Sequence, residues 1–309
     1  MSARGGRKGL LMMAYGTPKD LDDVAAYYTH IRHGRPPPPD LLHELQERYR
    51  AIGGRSPLLD ITRAQVRGVE QRLDGVKAYL GQKHASPYIA DAVQAMARDG
   101  VDTAVGLVLA PHYSAMSIGD YARRAAAAAE EVGWKDRLEM VESWHLEPGY
   151  VTWLAARVRA AHGSLTPGAR EGAVTLFSAH SLPERIVAAG DPYPRQLRET
   201  GAAVARELDL GGWRICWQSA GRTLEEWLGP DILDVLEDLA AQGVPAVVVC
   251  PCGFVADHLE VLYDVDIEAR RRADKLDLVL ARTDSPNDDP AFLDTLAAVA
   301  RGAFGRTGG

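Results

Sequence analysis

Three cysteines in a chain of 309 residues are too few for a disulfide framework, and Cys216, Cys250 and Cys252 fit a reducing cytoplasm. Cys250-Pro-Cys252 suggests a metal, but with one further thiol a four-thiolate cluster needs ligands of another kind. We read all three as small buried hydrophobes near strand ends. Long hydrophobic runs are missing too. None approaches the ~20 residues that span a bilayer, so no integral membrane association is expected. The basic stretch Ser2–Lys8 is followed only by the short apolar run Gly9–Ala14, which leads into Tyr15-Gly-Thr-Pro18 and not into a small-residue cleavage site. It is therefore not a signal peptide. Excess positive charge is absent: a formal net charge of −7 argues against nucleic acid as a partner. No strand-like run is followed by G-x-G-x-x-G or G-x-x-x-x-G-K-[ST], so a nucleotide cofactor is not expected. The pair Gly53-Gly54 follows a helical pattern and reads as its C-terminal stop.

What remains is a globular chain, 46% hydrophobic, long enough for two domains of ordinary size or one large one. Short β-rich runs alternate with longer helical patterns, the signature of βαβ units and a parallel sheet. The strand candidates are Gly9–Ala14, Val76–Leu80, Ala104–Ala110 and Leu138–Val141, then Ala173–Phe177, Trp213–Trp217, Val244–Val249 and Leu276–Leu280. Helical patterns cover Leu21–Ile31, Leu41–Ile52, Leu58–Leu73, Ile89–Ala97, Ile118–Val132, Tyr150–Ala161, Gln196–Leu208 and Ile232–Ala241. Two halves of four strands each place a boundary near Glu142–Pro148. The expected organisation is an N-terminal domain over residues 1–143, a second over 144–288, and a last helix within 289–309 that packs back on the first.

Polar side chains gather just after these strands: Tyr15, His84, His112, His180, then His258 and Glu260. Parallel strands put their C-terminal ends along one edge, where such groups converge. Glu260, Asp264 and Glu268 recur every fourth residue. On an α-helix each such step turns about 400°, so the three acids share one face. Their mutual repulsion costs a few tenths of a kcal/mol per pair. A solvated acidic face is one reading. The start of the ladder just beyond a buried strand favours the other, a path for a divalent cation. His180 lies in Ser178-Ala-His-Ser-Leu-Pro183, between a strand and a helix start expected at Pro183. An imidazole there either satisfies neighbouring backbone or accepts a proton or a metal; beside Glu260 the second reading is preferred. For His84 and His112 a structural hydrogen bond serves as well.

The first half also carries Tyr27, Tyr28, Arg32, Arg35, Arg48, Tyr49 and Arg55. Arg32 and Arg35 near a helix C-terminus are explained by solvated capping, or equally by guanidinium forks for substrate carboxylates. A serine hydrolase is disfavoured: Ser178 and Ser219 lie near strand ends, but the G-x-S-x-G elbow is missing.

Together these residues resemble ferrochelatases, most closely the soluble coproporphyrin III enzymes of bacteria. The resemblance covers almost the whole chain. It rests on Leu10-Leu-Met-Met-Ala-Tyr-Gly-Thr-Pro18, Tyr27-Tyr-Thr-His-Ile-Arg32, Tyr49-Arg-Ala-Ile-Gly-Gly-Arg-Ser-Pro57 and Ser178-Ala-His-Ser-Leu-Pro183. Trp217-Gln-Ser219, Trp227-Leu-Gly-Pro230 and Gly253-Phe-Val-Ala-Asp-His-Leu-Glu260 extend it. It implies an α/β fold of two Rossmann-like domains, each a four-stranded parallel sheet flanked by helices, with a porphyrin cleft between them. It implies a cytoplasmic lyase of haem biosynthesis that forms a nitrogen–metal bond, inserting Fe²⁺ into coproporphyrin III with release of two protons. By motif, His180 and Glu260 match the catalytic and metal-binding pair. Asp264 and Glu268 match an outer metal site that can take Mg²⁺, and Tyr15 matches the tyrosine that faces the porphyrin centre and can ligate its metal. Arg32, Arg48, Tyr49, Ser56 and Tyr121 match positions that contact the tetrapyrrole and its propionates. No cofactor beyond the substrate iron is expected. Some relatives carry an iron–sulfur cluster on a Cys-bearing C-terminal extension, which this chain, ending at Gly309, is expected to lack.

The downstream coproheme decarboxylase is a candidate partner, and a monomer is expected. A chelatase for protoporphyrin IX or for cobalt is the alternative; a non-catalytic haem or metal carrier comes third, because both His180 and Glu260 are present. Protoporphyrin enzymes usually have Asn-Met-Gly-Gly-Pro where this chain has Ala14-Tyr-Gly-Thr-Pro18, and an apolar membrane-facing lip where Gly34–Arg50 is Pro-rich and then charged.

Overall fold

The computed structural model describes residues 6–307. Residues 1–5, which include the first four of the Ser2–Lys8 basic stretch and open the expected first domain, and residues 308–309 lie outside the described residues. The elements run β1 (Lys8–Ala14), α1 (Val24–Ile31), α2 (Pro39–Ala51), α3 (Leu58–Glu70), β2 (Val76–Gln82), α4 (Ile89–Arg98), β3 (Thr103–Val108), α5 (Ile118–Glu131) and β4 (Leu138–Met140). They continue with α6 (Pro148–Ser164), α7 (Pro167–Glu171), β5 (Val174–His180), α8 (Arg185–Ala188), α9 (Tyr193–Leu208), β6 (Trp213–Gln218), α10 (Ile232–Ala241) and β7 (Ala246–Cys250). Last come α11 (Leu259–Leu262), a π-helix (Asp264–Ala269), α12 (Arg270–Lys275), β8 (Val279–Arg282) and α13 (Pro290–Arg306). No helix among the described residues is long and apolar enough to cross a membrane.

The eight strands form two four-stranded parallel sheets with orders β2-β1-β3-β4 and β6-β5-β7-β8. In both, the first strand of the set sits inside and its successors leave in opposite directions, the arrangement that makes a topological switch point. The chain falls into two compact units: one runs to Pro111, over Ala115–Trp144 and from Asn287 onward; the other holds His112–Ser114 and His145–Pro286. Three residues from the middle of the first half thus belong to the second unit. Hydrogen bonding explains it: His112 meets Thr200 (2.9 Å), Tyr113 N–H donates to Gln196 (2.6 Å), and Ser114 donates to Asp191 (2.9 Å).

In the first unit α13 lies on α3 and β3. Gly68 permits the approach, since a Cβ there would lie 2.4 Å from Leu293 Cδ1. Gln65 Nε2 donates to the Asn287 carbonyl at 2.8 Å, and Arg72 pairs with Asp294 at 2.6 Å. α13 starts cleanly, with Pro290 at its first position and the Asp289 side chain accepting from Ala291 N–H. In the second unit the central strand β7 is buried throughout. Val247 and Val249 pack with Leu176, Leu236 and Val265 on one face; Ala246 and Val248 pack with Ala161 and Leu165 on the other. That is the period-two division of a strand covered on both sides. Cys216, Cys250 and Cys252 are buried and free, Cys216 inside this core.

Several boundaries differ from the sequence reading. β5 continues three residues past Phe177 because Ser178, Ala179 and His180 still pair with β6, opposite Cys216, Trp217 and Gln218. His180 is therefore the last strand residue and not a loop residue. β8 starts only at Val279, after α12 ends and Asp277 turns left-handed (φ 52°). The helix expected from Pro183 begins at Arg185, and that expected from Leu21 begins at Val24. The acidic ladder changes helix type along its length. Glu260 lies in α11, while Asp264 and Glu268 lie in the π-helix, where Glu268 N–H donates to Tyr263 O across five residues (2.8 Å). The three acids thus fall on two successive elements and not on one continuous α-helix.

Candidate active site

In the second unit the switch point is the C-terminal end of β5, which carries His180. The strand holds its course because Gly253, in the loop after β7, lets that loop touch it. A Cβ at Gly253 would lie 2.4 Å from that of Ala179, and Gly253 N–H donates to Ser178 O at 3.0 Å. The loop then delivers His258 in extended conformation and, two residues on, Glu260 in the first turn of α11.

Glu260 stands between two imidazoles: Oε1 is 3.6 Å from His180 Nε2 and Oε2 is 3.5 Å from His258 Nε2. Both rings have their other nitrogen on a carbonyl, His180 Nδ1 on Ser181 O and His258 Nδ1 on Ala256 O (2.9 Å). A carbonyl only accepts, so both Nδ1 atoms carry hydrogen, and Nε2 of each ring is the end that gains or loses the second proton, facing the one carboxylate. Burial lowers the His258 pKa, but the facing Glu260, the Ala256 carbonyl and Asp264 outweigh it and raise the group above its ordinary value. Gln218 fixes the backbone beneath: its Nε2 donates to Glu260 O at 2.7 Å, and its Oε1 accepts from Ser178 Oγ at 2.8 Å. The arrangement can take a proton on one imidazole and hold the cation so formed against an anion.

Of the remaining ladder, Asp264 is buried and accepts from the Ser219 hydroxyl, whereas Glu268 is exposed. Asp266, between them, pairs with Arg282 at 2.7 Å. Among the described residues no three His, Cys, Asp or Glu side chains are grouped to hold a metal ion. The structure thus brings together His180 and Glu260, adds His258 with Asp264 near enough to act on its charge, and leaves Glu268 exposed.

The first unit places Tyr15 at the end of β1, 42% exposed, its ring centroid 4.6 Å from that of His84. Lys83, on the neighbouring strand end, is only 11% exposed and pairs with Asp120 at 2.6 Å. Its ammonium lies 5.8 Å from the Tyr15 ring and 5.4 Å from the Tyr121 ring. Burial lowers the Lys83 pKa. Burial lifts Asp120, but Lys83 and Arg124 override it and hold the carboxyl at about 2. Tyr49 is buried, its hydroxyl 3.4 Å from Thr17 Oγ1. Tyr27 beside it donates to Gly16 O at 3.1 Å. Ser56 Oγ accepts from Leu58 N–H at 3.2 Å. Arg32, at the C-cap of α1, lies 5.9 Å from the Tyr28 ring, and its Nε is buried without a hydrogen-bond partner. Arg48, in the last turn of α2, is half-buried.

Sequence reasoning noted His258 without giving it a role, and passed over Lys83. The spacing His258-x-Glu260 was the available signal for the first. Nothing local marks the second, whose burial depends on Asp120.

The sequence model of the family described as Ferrochelatase matches residues 7–303. A protein named Coproporphyrin III ferrochelatase from Anoxybacillus flavithermus (strain DSM 21510 / WK1) is 48% identical over 298 residues, covering 94% of this chain and 94% of that protein. One of the same name from Bacillus subtilis (strain 168) is 46% identical over 307 residues, covering 97% of this chain and 99% of its own. Among solved structures, the sirohydrochlorin chelatase SirB from Bacillus subtilis subspecies spizizenii, in complex with cobalt, superposes with a TM-score of 0.63. It covers 98% of this chain and 97% of its own at 12% identity, a likeness of fold.

Proposed function

This chain belongs to the ferrochelatase family, and we propose that it inserts Fe²⁺ into coproporphyrin III, forming coproheme and releasing two protons in haem biosynthesis. The observation that carries this is near-half identity along almost the entire length with proteins named for that reaction. Porphyrin and iron are its substrates.

The roles of individual residues are our reading of the geometry. A porphyrin's central N–H groups are poor acids, and aqueous Fe²⁺ holds its waters. The catalyst must accept protons and exchange ligands on the metal. His180, with Nδ1–H fixed on Ser181, offers Nε2 as the proton acceptor. Glu260, 3.6 Å away, stabilises the imidazolium and offers a hard oxygen to incoming iron. His258, on the other carboxylate oxygen, is placed to take charge from Glu260 as the proton moves on. Tyr15, Arg32, Arg48, Tyr49, Ser56 and Tyr121 are assigned to the tetrapyrrole, with Tyr15 facing its centre. The segment before Arg48 turns Arg35, Asp40, His43 and Glu47 to solvent, a polar surface where an apolar lip would serve a membrane-borne substrate. We further propose a cytoplasmic monomer that needs no iron–sulfur cluster, since the chain has only three cysteines, and that passes coproheme to its decarboxylase.

Asp264, buried and accepting from Ser219, and Glu268, exposed on the π-helix, are assigned to the outer cation site. They suit a cation in passage. Asp264→Asn with Glu268→Gln should raise the iron KM about three- to tenfold and leave kcat within about threefold, because such charges steer without transferring protons. Loss of all turnover at saturating iron would instead place them in the reacting centre. The function itself is tested by anaerobic incubation of the purified protein with Fe²⁺ and coproporphyrin III, without ATP, followed by absorbance. Formation of coproheme is expected, and its absence would overturn the proposal.

A further inference from the structure

The first turn of α9 sends one side chain to the strand that ends in His180. Tyr193 is 7% exposed, with its ring centroid 5.5 Å from Trp217 and 6.2 Å, edge-on, from His112. A phenol buried among rings needs a partner for its hydroxyl, and this one donates to the His180 carbonyl oxygen at 3.0 Å. The N–H of the same peptide, that of Ser181, donates to Gln218 O at 2.7 Å. The His180–Ser181 peptide is thus gripped from both sides, by the sheet on one and by a side chain on the other. Burial first, then Cys252, Glu260 and Asp191, raise the Tyr193 pKa well above its ordinary value, so the hydroxyl stays a donor.

Tyr193 is itself anchored. Asp191 accepts its backbone N–H through Oδ1 at 3.0 Å and the Ser114 hydroxyl through Oδ2 at 2.9 Å. The links Ser114–Asp191–Tyr193–His180 form a continuous chain of hydrogen bonds that ends on the His180 carbonyl.

We infer that Tyr193 is a positioning residue for metal insertion: its hydroxyl orients the His180–Ser181 peptide, so that the imidazole keeps Nδ1–H on Ser181 O and holds Nε2, the end that takes up the second proton, beside Glu260. The inference rests on His180 being the proton acceptor proposed above. The next peptide carries the carbonyl that selects the tautomer. A rotation of the first therefore alters both the place of the ring and which nitrogen is basic, and misplacement by about 1 Å can cost on the order of a hundredfold in rate.

Tyr193→Phe keeps the ring and its packing and removes only the donor. Its kcat should fall about ten- to a hundredfold. The porphyrin KM should stay within about twofold, since binding groups are untouched. The ¹⁵N signals of the His180 ring should move from one tautomer towards a mixture. A hydroxyl with a merely structural role would lower the unfolding midpoint and leave kcat per folded molecule and the ring signals as in wild type; that result overturns the inference. If Tyr193→Phe does not fold, Ser114→Ala removes the outer link and should lower kcat about threefold with the same direction of ring-signal change. Wild-type kcat and ring signals there would overturn it equally. Lack of turnover in the wild-type protein would sink the proposed function, whereas normal wild-type turnover matched by Tyr193→Phe sinks only the positioning role.

Discussion

His180→Ala should reduce metal insertion by about a thousandfold or more while porphyrin binding largely survives. The imidazole is the group at the tip of β5 whose Nε2 stands 3.6 Å from a carboxylate, with its other nitrogen already committed to Ser181 O. Removing it takes away the proton acceptor and leaves Glu260 facing His258 alone. On the proposed assignment, affinity for the ring rests on its large apolar faces and on cations such as Arg32 and Arg48, and one imidazole contributes little to it. Turnover under saturating iron and porphyrin affinity by fluorescence quenching separate the two effects. Near-normal turnover would remove His180 from the chemistry; loss of porphyrin binding in step with rate would make it a binding residue.

A second large effect is acid lability. His84 and His112 are both buried and neutral, each held at about 3 against an ordinary 6.5. Burial is the main cause for both, joined by Lys83 and Arg124 for His84 and by His145 for His112. The unfolded chain therefore binds these protons first. Stability is full above pH ~6.5 and falls as the pH drops towards 3, by about 1.4 kcal/mol per pH unit per group. At pH 5 the loss is on the order of 2 kcal/mol for each. His258 acts in the opposite sense: its raised pKa gives stability that is present in acid and lost as the pH rises through its folded value. It offsets part of the loss. Asp120, held at about 2, keeps its contribution at pH 5. Urea unfolding at pH 7.5 and pH 5 should show the decline, with His112→Asn recovering about half of it. Equal or greater stability at pH 5 would contradict the burial of neutral imidazoles.

The strands that build each sheet were legible because their interiors are unbroken apolar runs; Ala246–Cys250, buried at every position, is the plainest case. Their ends were not. Ser178, Ala179 and His180 look like the start of a loop, yet pairing with Cys216, Trp217 and Gln218 carries the strand through them. The contact is with a segment some forty residues away, which no local pattern reports. The acidic ladder was read with α-helical periodicity throughout, and the switch to a π-turn after Tyr263 has no local sequence signal. Side chains at that wider turn still include Glu260's near neighbour Asp264, but facing Ser219. His180 and Glu260 were singled out because residue type, strand-end position and the family resemblance coincide, and the two side chains do meet. Lys83 was missed because a lysine between Gln82 and His84 reads as solvated, and only Asp120, Tyr15 and Tyr121 enclose it.

The choice of substrate is the centre of this account, and it turns on carboxylates. Coproporphyrin III has four propionates and protoporphyrin IX two. Two further charge-assisted contacts from groups such as Arg32 and Arg48 are worth about tenfold or more in preference, even after solvent screening. Measuring kcat/KM for both porphyrins with Fe²⁺ in detergent-free buffer, corrected for protoporphyrin aggregation, puts this to the test directly. We expect coproporphyrin III to be favoured by about tenfold or more; equal values, or a preference for protoporphyrin IX, would contradict the account.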